Sequence, residues 1–303
     1  MKSIYWRLAP RFKRWLLRVL KQSSLLEKLN LTLTFSINGA PFRIPIIRGI
    51  GDQNAFMTEM WMVEVLKRLL PLKPGTFIDV GANIGQTLLK LRAVSQSTPY
   101  LGFEPNPACA AYLLDLILAN RFERTLMIPI GLSDSRGLLD LIYYAEDNRV
   151  DSGASLVTDP KFRPNHPVVF RQPVPVLPFT DVARYLGDSE PGLVKIDVEG
   201  GEMEVLKSMG AMIRMHQPPV LLEILCMGDD ASTLAKNLLL EAFFREIDYS
   251  IMRIEKVRER FGQFVLIDAI GLNTDPTGWD YVAVPSRLVA SLLPLGGIHE
   301  ERE

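Results

Sequence analysis

A doubly wound α/β fold around a mostly parallel sheet is the architecture this sequence predicts, on three observations. From Thr76 onward, short apolar runs alternate with helical stretches, the pattern of a parallel sheet covered on both faces. Each main run ends in an acid: Asp79, Glu104, Asp134, Asp197 and Glu223. The first run passes into a glycine-rich turn, Gly81-Ala82-Asn83-Ile84-Gly85, and open α/β sheets seat their ligands beyond the carboxyl ends of the strands.

Taken in order, residues 10–21 predict a helix with Pro10 suited to its first position. Leu8, Phe12, Trp15 and Val19 share one side of it, and Arg7, Arg11, Arg14, Arg18 and Lys21 another, with no acid before Glu27. Two expectations follow for residues 1–26. Either the helix docks on its own protein with a solvated basic face, or it adheres to an anionic membrane or an acidic partner. Leu31, Leu33, Phe35 and Ile37 alternate with polar residues, Asn38-Gly39 marks a turn, and Phe42, Ile44 and Ile46 form a return strand. Pro41 and Pro45 put that strand at an edge. One helix is expected over residues 54–70, stopped by Pro71. Residues 1–72 thus read as an N-terminal helix/hairpin appendage, 73–285 as the main domain and 286–303 as a tail.

Within the main domain the apolar runs are Thr76–Val80, Tyr100–Phe103, Leu126–Leu132, Leu193–Val198 and Val220–Ile224. Asn106 caps and Pro107 starts a helix ending near Asn120, and another spans Glu202 to Met209 with Gly210 as its stop. A helix over 232–244, a strand at Tyr249–Ile254 and a last strand at Tyr281–Val284 complete the pattern. Residues 145–178, rich in Pro, Asp and Ser, predict a long loop able to act as a lid.

Composition narrows the function classes. A hydrophobic share of 48% supports a sizeable core and argues against general disorder, and a net charge of −1 gives no reason to expect a nucleic-acid partner. Cys109 and Cys226 are far apart and the three histidines make no zinc-type pair, so a reducing cytosol and no metal are expected. No apolar run reaches the length of a signal-peptide core or a membrane span. A cytoplasmic protein, soluble or peripheral at the inner face of the membrane, is the expectation.

The chemistry gathers at the strand ends. Gly81 and Gly85 would let a backbone turn approach a ligand at the following helix N-terminus. Asn83 stands where a nicotinamide-binding turn requires its second glycine, which disfavours a nucleotide-dependent oxidoreductase. Glu104, ending the next strand, suits the hydroxyls of an adenosine ribose. Acids around a nucleoside fit a cationic cofactor without phosphate, and S-adenosylmethionine is one.

Four segments now resemble a known family: Asp79-Val80-Gly81-Ala82-Asn83-Ile84-Gly85, Phe103-Glu104-Pro105-Asn106-Pro107, Gly131-Leu132-Ser133-Asp134 and Val194-Lys195-Ile196-Asp197-Val198-Glu199-Gly200-Gly201-Glu202. Together they are similar to FkbM-type methyltransferases, over about residues 54–285. The resemblance implies a class I methyltransferase (Rossmann-like) fold, a seven-stranded sheet with an antiparallel last strand. It also implies methyl transfer to an oxygen of a sugar, glycolipid or secondary metabolite. On it, Asp79, Gly81, Ala82, Asn83 and Gly85 would line the methionine part of S-adenosylmethionine, Glu104 would take the ribose hydroxyls, and Asp134 would approach the adenine.

The acceptor side is expected along Lys195–Glu202. On a strand Lys195, Asp197 and Glu199 share one face, and charges on a buried strand are paired or functional. Asp197 or Glu199 could take the acceptor's proton, with Lys195, Glu202 and Glu223 orienting the small-molecule or glycan acceptor. His166, in the expected lid, is the rival base. A divalent metal on Asp197 and Glu223 is a lesser alternative. A catalytically silent scaffold that keeps the cofactor fold, inside a polysaccharide-assembly complex, is a reading of another class.

Overall fold

The computed structural model describes residues 10–23, 25–56, 58–144, 153–157, 167–226 and 230–293. The chain opens with helix α1 (Pro10–Gln22), strands β1 (Asn30–Ile37) and β2 (Ala40–Ile47), and helices α2 (Asp52–Phe56) and α3 (Trp61–Leu69). β1 and β2 pair antiparallel through Asn38-Gly39, both left-handed at φ 48° and 83°, as a two-residue hairpin loop requires. The single helix expected over 54–70 is two. Glu59 sits between them at φ 55°, a left-handed residue that a right-handed helix cannot contain.

The first half of the main sheet follows. It runs through β3 (Thr76–Val80), α4 (Gln86–Val94), β4 (Tyr100–Phe103), α5 (Pro107–Asn120) and β5 (Thr125–Ile128). Asn106 caps α5 by accepting from the backbone N–H groups of Ala108 and Cys109, with Pro107 in the first turn. A small sheet comes next, made of β6 (Gly131–Leu132), β7 (Gly137–Tyr143) and β8 (Phe170–Leu177), and then the short helix α6 (Phe179–Val182). The chain continues through β9 (Pro191–Ile196), α7 (Glu202–His216), β10 (Val220–Glu223) and α8 (Asp230–Glu246). It closes with β11 (Tyr249–Val257), β12 (Arg260–Leu266) and β13 (Asp280–Pro285).

The main sheet has eight strands in the order β12-β11-β13-β10-β9-β3-β4-β5. β5, β4, β3, β9 and β10 run parallel, and β13 lies antiparallel between β10 and β11. This is a doubly wound, mostly parallel sheet with an antiparallel last strand, as expected, but it carries an eighth strand. β12 extends the sheet through a two-residue hairpin whose Arg258 and Glu259 are left-handed at φ 50° and 61°, a turn with none of the usual glycine or asparagine signal.

Three further expectations are corrected. The run Leu126–Leu132 is not one strand: Pro129 interrupts it, leaving β5 in the main sheet and β6 in the small one. The expected loop over 145–178 contains β8, paired antiparallel with β7 despite Pro173 and Pro175. Helix α7 does not stop at Gly210 but runs to His216, capped by left-handed Gln217 at φ 48°. Gly210 instead lets the helix pack closely, since a Cβ there would lie 3.0 Å from Arg214 and 3.5 Å from Phe243.

The residues before 73 share one core with the sheet. Leu33, Phe35, Ile44, Ile46, Trp61 and Leu66 lie in a single buried cluster with Phe77, Leu88, Leu113 and Leu116, and each such side chain removed from water contributes about 1.5–3 kcal/mol. Polar clasps add to it. Tyr112 Oη donates to the Pro45 carbonyl at 2.7 Å, and Asn54 Nδ2 donates to the Ile84 carbonyl at 2.8 Å.

Helix α1 docks on this body through Leu17 and Lys13, while Arg18 and Lys21 of the expected basic face stay exposed. Lys13, only 6% exposed, donates to the Thr34 carbonyl at 2.8 Å. Arg14 donates to the Ala55 carbonyl at 3.2 Å, and Lys21 pairs with Asp52 at 2.7 Å. Phe12, Trp15 and Val19 are left facing outward. The body beneath the helix presents carbonyls and an acid, so it draws in the cations. Among the described residues no helix is long and apolar enough to cross a membrane.

Candidate active site

The carboxyl ends of β3, β4, β9 and β10 open into a cavity of about 690 Å³, within the range of small-molecule sites. Its floor is the turn after β3, where Gly81, Asn83 and Gly85 are all left-handed. The glycines have packing reasons as well as conformational ones. A Cβ on Gly81 would lie 1.7 Å from the Asp197 carbonyl oxygen, and one on Gly85 would lie 2.7 Å from Leu113 and Leu116. The turn is thus pressed between the end of β9 and the inner face of α5. Cys109 Sγ contacts Asn83 Oδ1 at 3.2 Å and steadies that side chain.

Glu104 reaches into the cavity from the end of β4. One carboxylate oxygen accepts the Asn106 N–H and the other the Asn83 N–H, both at 2.7 Å. Each oxygen keeps a lone pair for a further donor. Burial pushes this carboxyl up to about 7, against the lowering effect of those two N–H groups.

The ends of β9 and β10 carry a charged chain. Lys195 Nζ lies 2.9 Å from Asp197 and 3.5 Å from Asp79, and Tyr100 Oη donates to Asp79 at 2.7 Å. Burial would lower the Lys195 pKa, but Asp197 and Asp79 outweigh it and raise it above the lysine range. Asp197 also hydrogen-bonds Glu223, the next position along β10. Burial would raise Asp197, yet Lys195 and the Glu223 hydrogen bond hold it below the usual carboxylate range. Glu223 is pushed far up by the neighbouring Asp197 charge and by burial, so the two carboxyls titrate as a pair in which ionising both is disfavoured. On the facing wall Glu59 pairs with buried Lys90 at 2.8 Å. Lys90 lowers the Glu59 pKa, and the charge on Asp197 opposes that.

The cavity brings together Gly81, Ala82, Asn83, Glu104, Lys195, Asp197, Glu199 and Glu223. Others among the expected site residues stand elsewhere. Asp79 is fully buried behind Lys195 and does not line the cavity. Gly85 is under α5. Asp134 is exposed, 3.8 Å from Lys207, and the neighbouring Ser133 lines the wall instead. Glu202 is turned into the protein, accepting from the Gly200 N–H at 2.8 Å and pairing with Lys236 on α8. Glu199 does not share a strand face with Asp197, because β9 ends at Ile196 and Glu199 is left-handed at φ 56° in the following turn. His166 lies outside the described residues. Sequence reasoning missed Gln53, Thr58 and Glu59 from the N-terminal segment and Leu139 and Leu141 from β7. The only sequence signal for Glu59 was its place in a segment read as continuous helix.

Against known proteins, the model of the methyltransferase FkbM domain matches residues 79–251. Methyltransferase sdnD of Sordaria araneosa is 30% identical over 164 residues, which are 46% of this chain and 62% of that protein. The chain therefore spans less than two thirds of the length of this curated relative. Among solved structures, methyltransferase FkbM from Methylobacillus flagellatus KT aligns with a TM-score of 0.44 at 17% identity, over 70% of this chain and 43% of its own. A SAM-dependent O-methyltransferase from Thermotoga maritima aligns with a TM-score of 0.36 at 12% identity, over 74% and 64%. With the family match covering more than half of the 303 residues, this chain belongs to the FkbM methyltransferase family.

Proposed function

We propose that the protein is an S-adenosylmethionine-dependent O-methyltransferase whose acceptor is a hydroxyl on a sugar, a glycolipid or polysaccharide precursor, or a secondary metabolite. The observation that carries this reading is the hydrogen-bonded Asp197–Glu223 pair, which opens into the same cavity as Glu104 and the Gly81 turn. A methyltransferase acting on oxygen benefits from a carboxylate held ionised beside the attacking hydroxyl, and Asp197 is such a group.

The residues present fit the cofactor. Glu104 has lone pairs left for two ribose hydroxyls, and the turn at Gly81–Asn83 supplies the wall for the methionine part. Among the described residues of the wall, Lys195 is the single Lys or Arg against six acids, Glu59, Glu104, Asp197, Glu199, Glu204 and Glu223, of which Glu104 and Glu223 are raised towards the neutral form and Glu59 is matched by Lys90. That balance favours a cationic ligand. When bound, the cofactor supplies an electrophilic methyl group on a sulfonium.

The chain's own residues do the rest. Asp197 would accept the proton of the acceptor's hydroxyl as that oxygen is methylated. Glu223 donates a hydrogen bond to Asp197 and keeps it ionised, and Lys195 compensates its charge. Leu139, Leu141 and Leu156 line the cavity with apolar surface and exclude water from the reacting atoms. Positioning of this kind is worth about 7–11 kcal/mol of barrier when alignment is good.

The test pairs calorimetry with a product screen. S-adenosylmethionine and S-adenosylhomocysteine should bind while NAD and NADP give no heat. Sugar nucleotides, glycolipids and polyketides are then screened for S-adenosylhomocysteine release and for a methyl ether by mass spectrometry. Binding of NAD alone, or a methyl group found on nitrogen or carbon, overturns the proposal.

A further inference from the structure

We infer that the outer face of α1 is a docking surface for an anionic lipid bilayer, an inference independent of the methyl-transfer reading. The helix is amphipathic, and part of its polar side is tied to the protein. Lys13 and Arg14 donate to backbone carbonyls and Lys21 to Asp52, while Leu17 is 1% exposed in the core. The opposite side presents Phe12, Trp15 and Val19 at 44, 55 and 40% exposure, one helical stripe at spacings of three and four. The rings of Phe12 and Trp15 lie 5.5 Å apart and make one aromatic ledge. A soluble helix normally turns such a stripe inward. Here the stripe faces solvent with nothing of the described chain over it.

Charge identifies the occupant. From Met1 to Leu26 there are seven Lys and Arg, namely Lys2, Arg7, Arg11, Lys13, Arg14, Arg18 and Lys21, and no Asp or Glu. Arg14 meets a carbonyl rather than an acid, and Arg18, held over the Phe56 ring at 5.5 Å, is exposed and meets no acid among the described residues. A second copy docking on the same face would bring two such cationic rims together, because a two-fold interface places a patch on itself. An anionic bilayer matches both halves of the surface. Its interface takes Trp and Phe at headgroup depth, and its surface potential attracts the cations around them.

The position has a consequence for the cavity. Lys21 and Arg14 fasten α1 to α2, and Gln53 of α2 lines the cavity wall. A membrane held by α1 therefore lies one short helix away from the site, which suits an acceptor carried in or on a bilayer.

Flotation of the full chain with vesicles of phosphatidylcholine, with and without phosphatidylglycerol, tests the inference. The wild type should float only with the anionic vesicles and be released by salt. A Phe12→Ser/Trp15→Ser/Val19→Ser variant should bind at least about tenfold more weakly, since it loses most of the apolar area offered to the lipid. Its circular-dichroism melting curve should be unchanged, because all three side chains are exposed. Leu118→Ser, at a more exposed apolar position on α5, is the control and should float like the wild type. Failure of the wild type to float, or equal flotation of the triple variant, overturns the inference. A wild-type dimer that the triple variant converts to monomer would assign the face to a second copy. Retention on acidic polypeptide without flotation would assign it to an acidic protein.

Discussion

Glu104 is a buried carboxyl whose ionised form the free protein does not favour. Its carboxyl titrates near 4.5 when exposed and is pushed to about 7 by burial. The folded state thus binds this proton more tightly than the unfolded state does. The group's contribution to stability is fully present below about pH 4.5 and is lost as pH rises to about 7, on the order of 3 kcal/mol at most. Glu104→Ala should flatten that part of the pH dependence of Tm in the ligand-free protein, measured by differential scanning calorimetry. The same variant should bind S-adenosylhomocysteine more weakly by about 1.5–3 kcal/mol, the worth of a charge-assisted hydrogen bond. Unchanged affinity with an unchanged Tm profile would remove Glu104 from the ribose role. Asp197 and Glu223 separate by substitution. Asp197→Asn should cut kcat by about 10²–10⁴-fold, the usual worth of a positioned base, with cofactor Kd little changed. Glu223→Gln keeps a donor to Asp197 and should leave most of the activity at neutral pH. Because Asp197 is held below the usual carboxylate range, the acid limb of the kcat profile should fall below about pH 4. A strong loss in Glu223→Gln with a mild one in Asp197→Asn would exchange the two roles.

At the scale of elements, the Gly81 turn is where strand, helix and cavity meet, and its tolerance is narrow. A methyl group at Gly81 would press into the Asp197 carbonyl at 1.7 Å while holding a φ of 84° that L residues rarely adopt. Gly81→Ala should therefore destabilise the protein by about 2–4 kcal/mol and displace Asp197 together with the turn, lowering both the denaturation midpoint and cofactor affinity. Gly137→Ala is the comparison, since its φ of 150° is also a glycine value but nothing lies within 4 Å of its missing Cβ. It should cost less than Gly81→Ala. The order of β3, β4, β9 and β10 was legible because each is a short apolar run ending in an acid, a signal local in sequence. The strands that were missed had their local signal contradicted. Pro173 and Pro175 disguised β8, and Arg258-Glu259 disguised the turn into β12. Glycine and proline punctuation also misled in the other direction at Gly210, where close packing against Phe243 accounts for the residue and the helix continues. Strand-end acids could be listed from sequence, but which of them face the cavity could not. Asp79 and Glu202 are buried by partners far away in the chain, Tyr100 and Lys236, and Asp134 is carried outward by the short strand β6.

The whole molecule is organised so that its first 70 residues complete the site they precede. The hairpin and α3 share the core with α4 and α5, and the break between α2 and α3 delivers Glu59 to the cavity opposite Asp197. Lys90, on α4, is the anchor of that arrangement: its side chain is 4% exposed and it meets Glu59 at 2.8 Å, while its charge also helps to hold Asp197 ionised. Removing Glu59 leaves the ammonium buried and unpaired, which costs about 3–5 kcal/mol for a fully buried pair. Glu59 is itself 46% exposed, and the solvent that reaches it reduces this to about 1–3 kcal/mol. Glu59→Ala should therefore lower stability by that amount in urea denaturation. Lys90→Met together with Glu59→Ala should recover most of it, because the double variant has no buried charge left to compensate. The catalytic readout separates this from a purely structural pair. With Lys90 gone, a charge that lowers the Asp197 pKa is gone too, so the acid limb of the kcat profile should move to higher pH in Lys90→Met alone, and by less in the double variant, where the opposing charge of Glu59 is also removed. A double variant as unstable as Glu59→Ala, or a Lys90→Met variant with an unmoved acid limb, would show that the N-terminal segment only braces the fold and takes no part in tuning the carboxylate it faces.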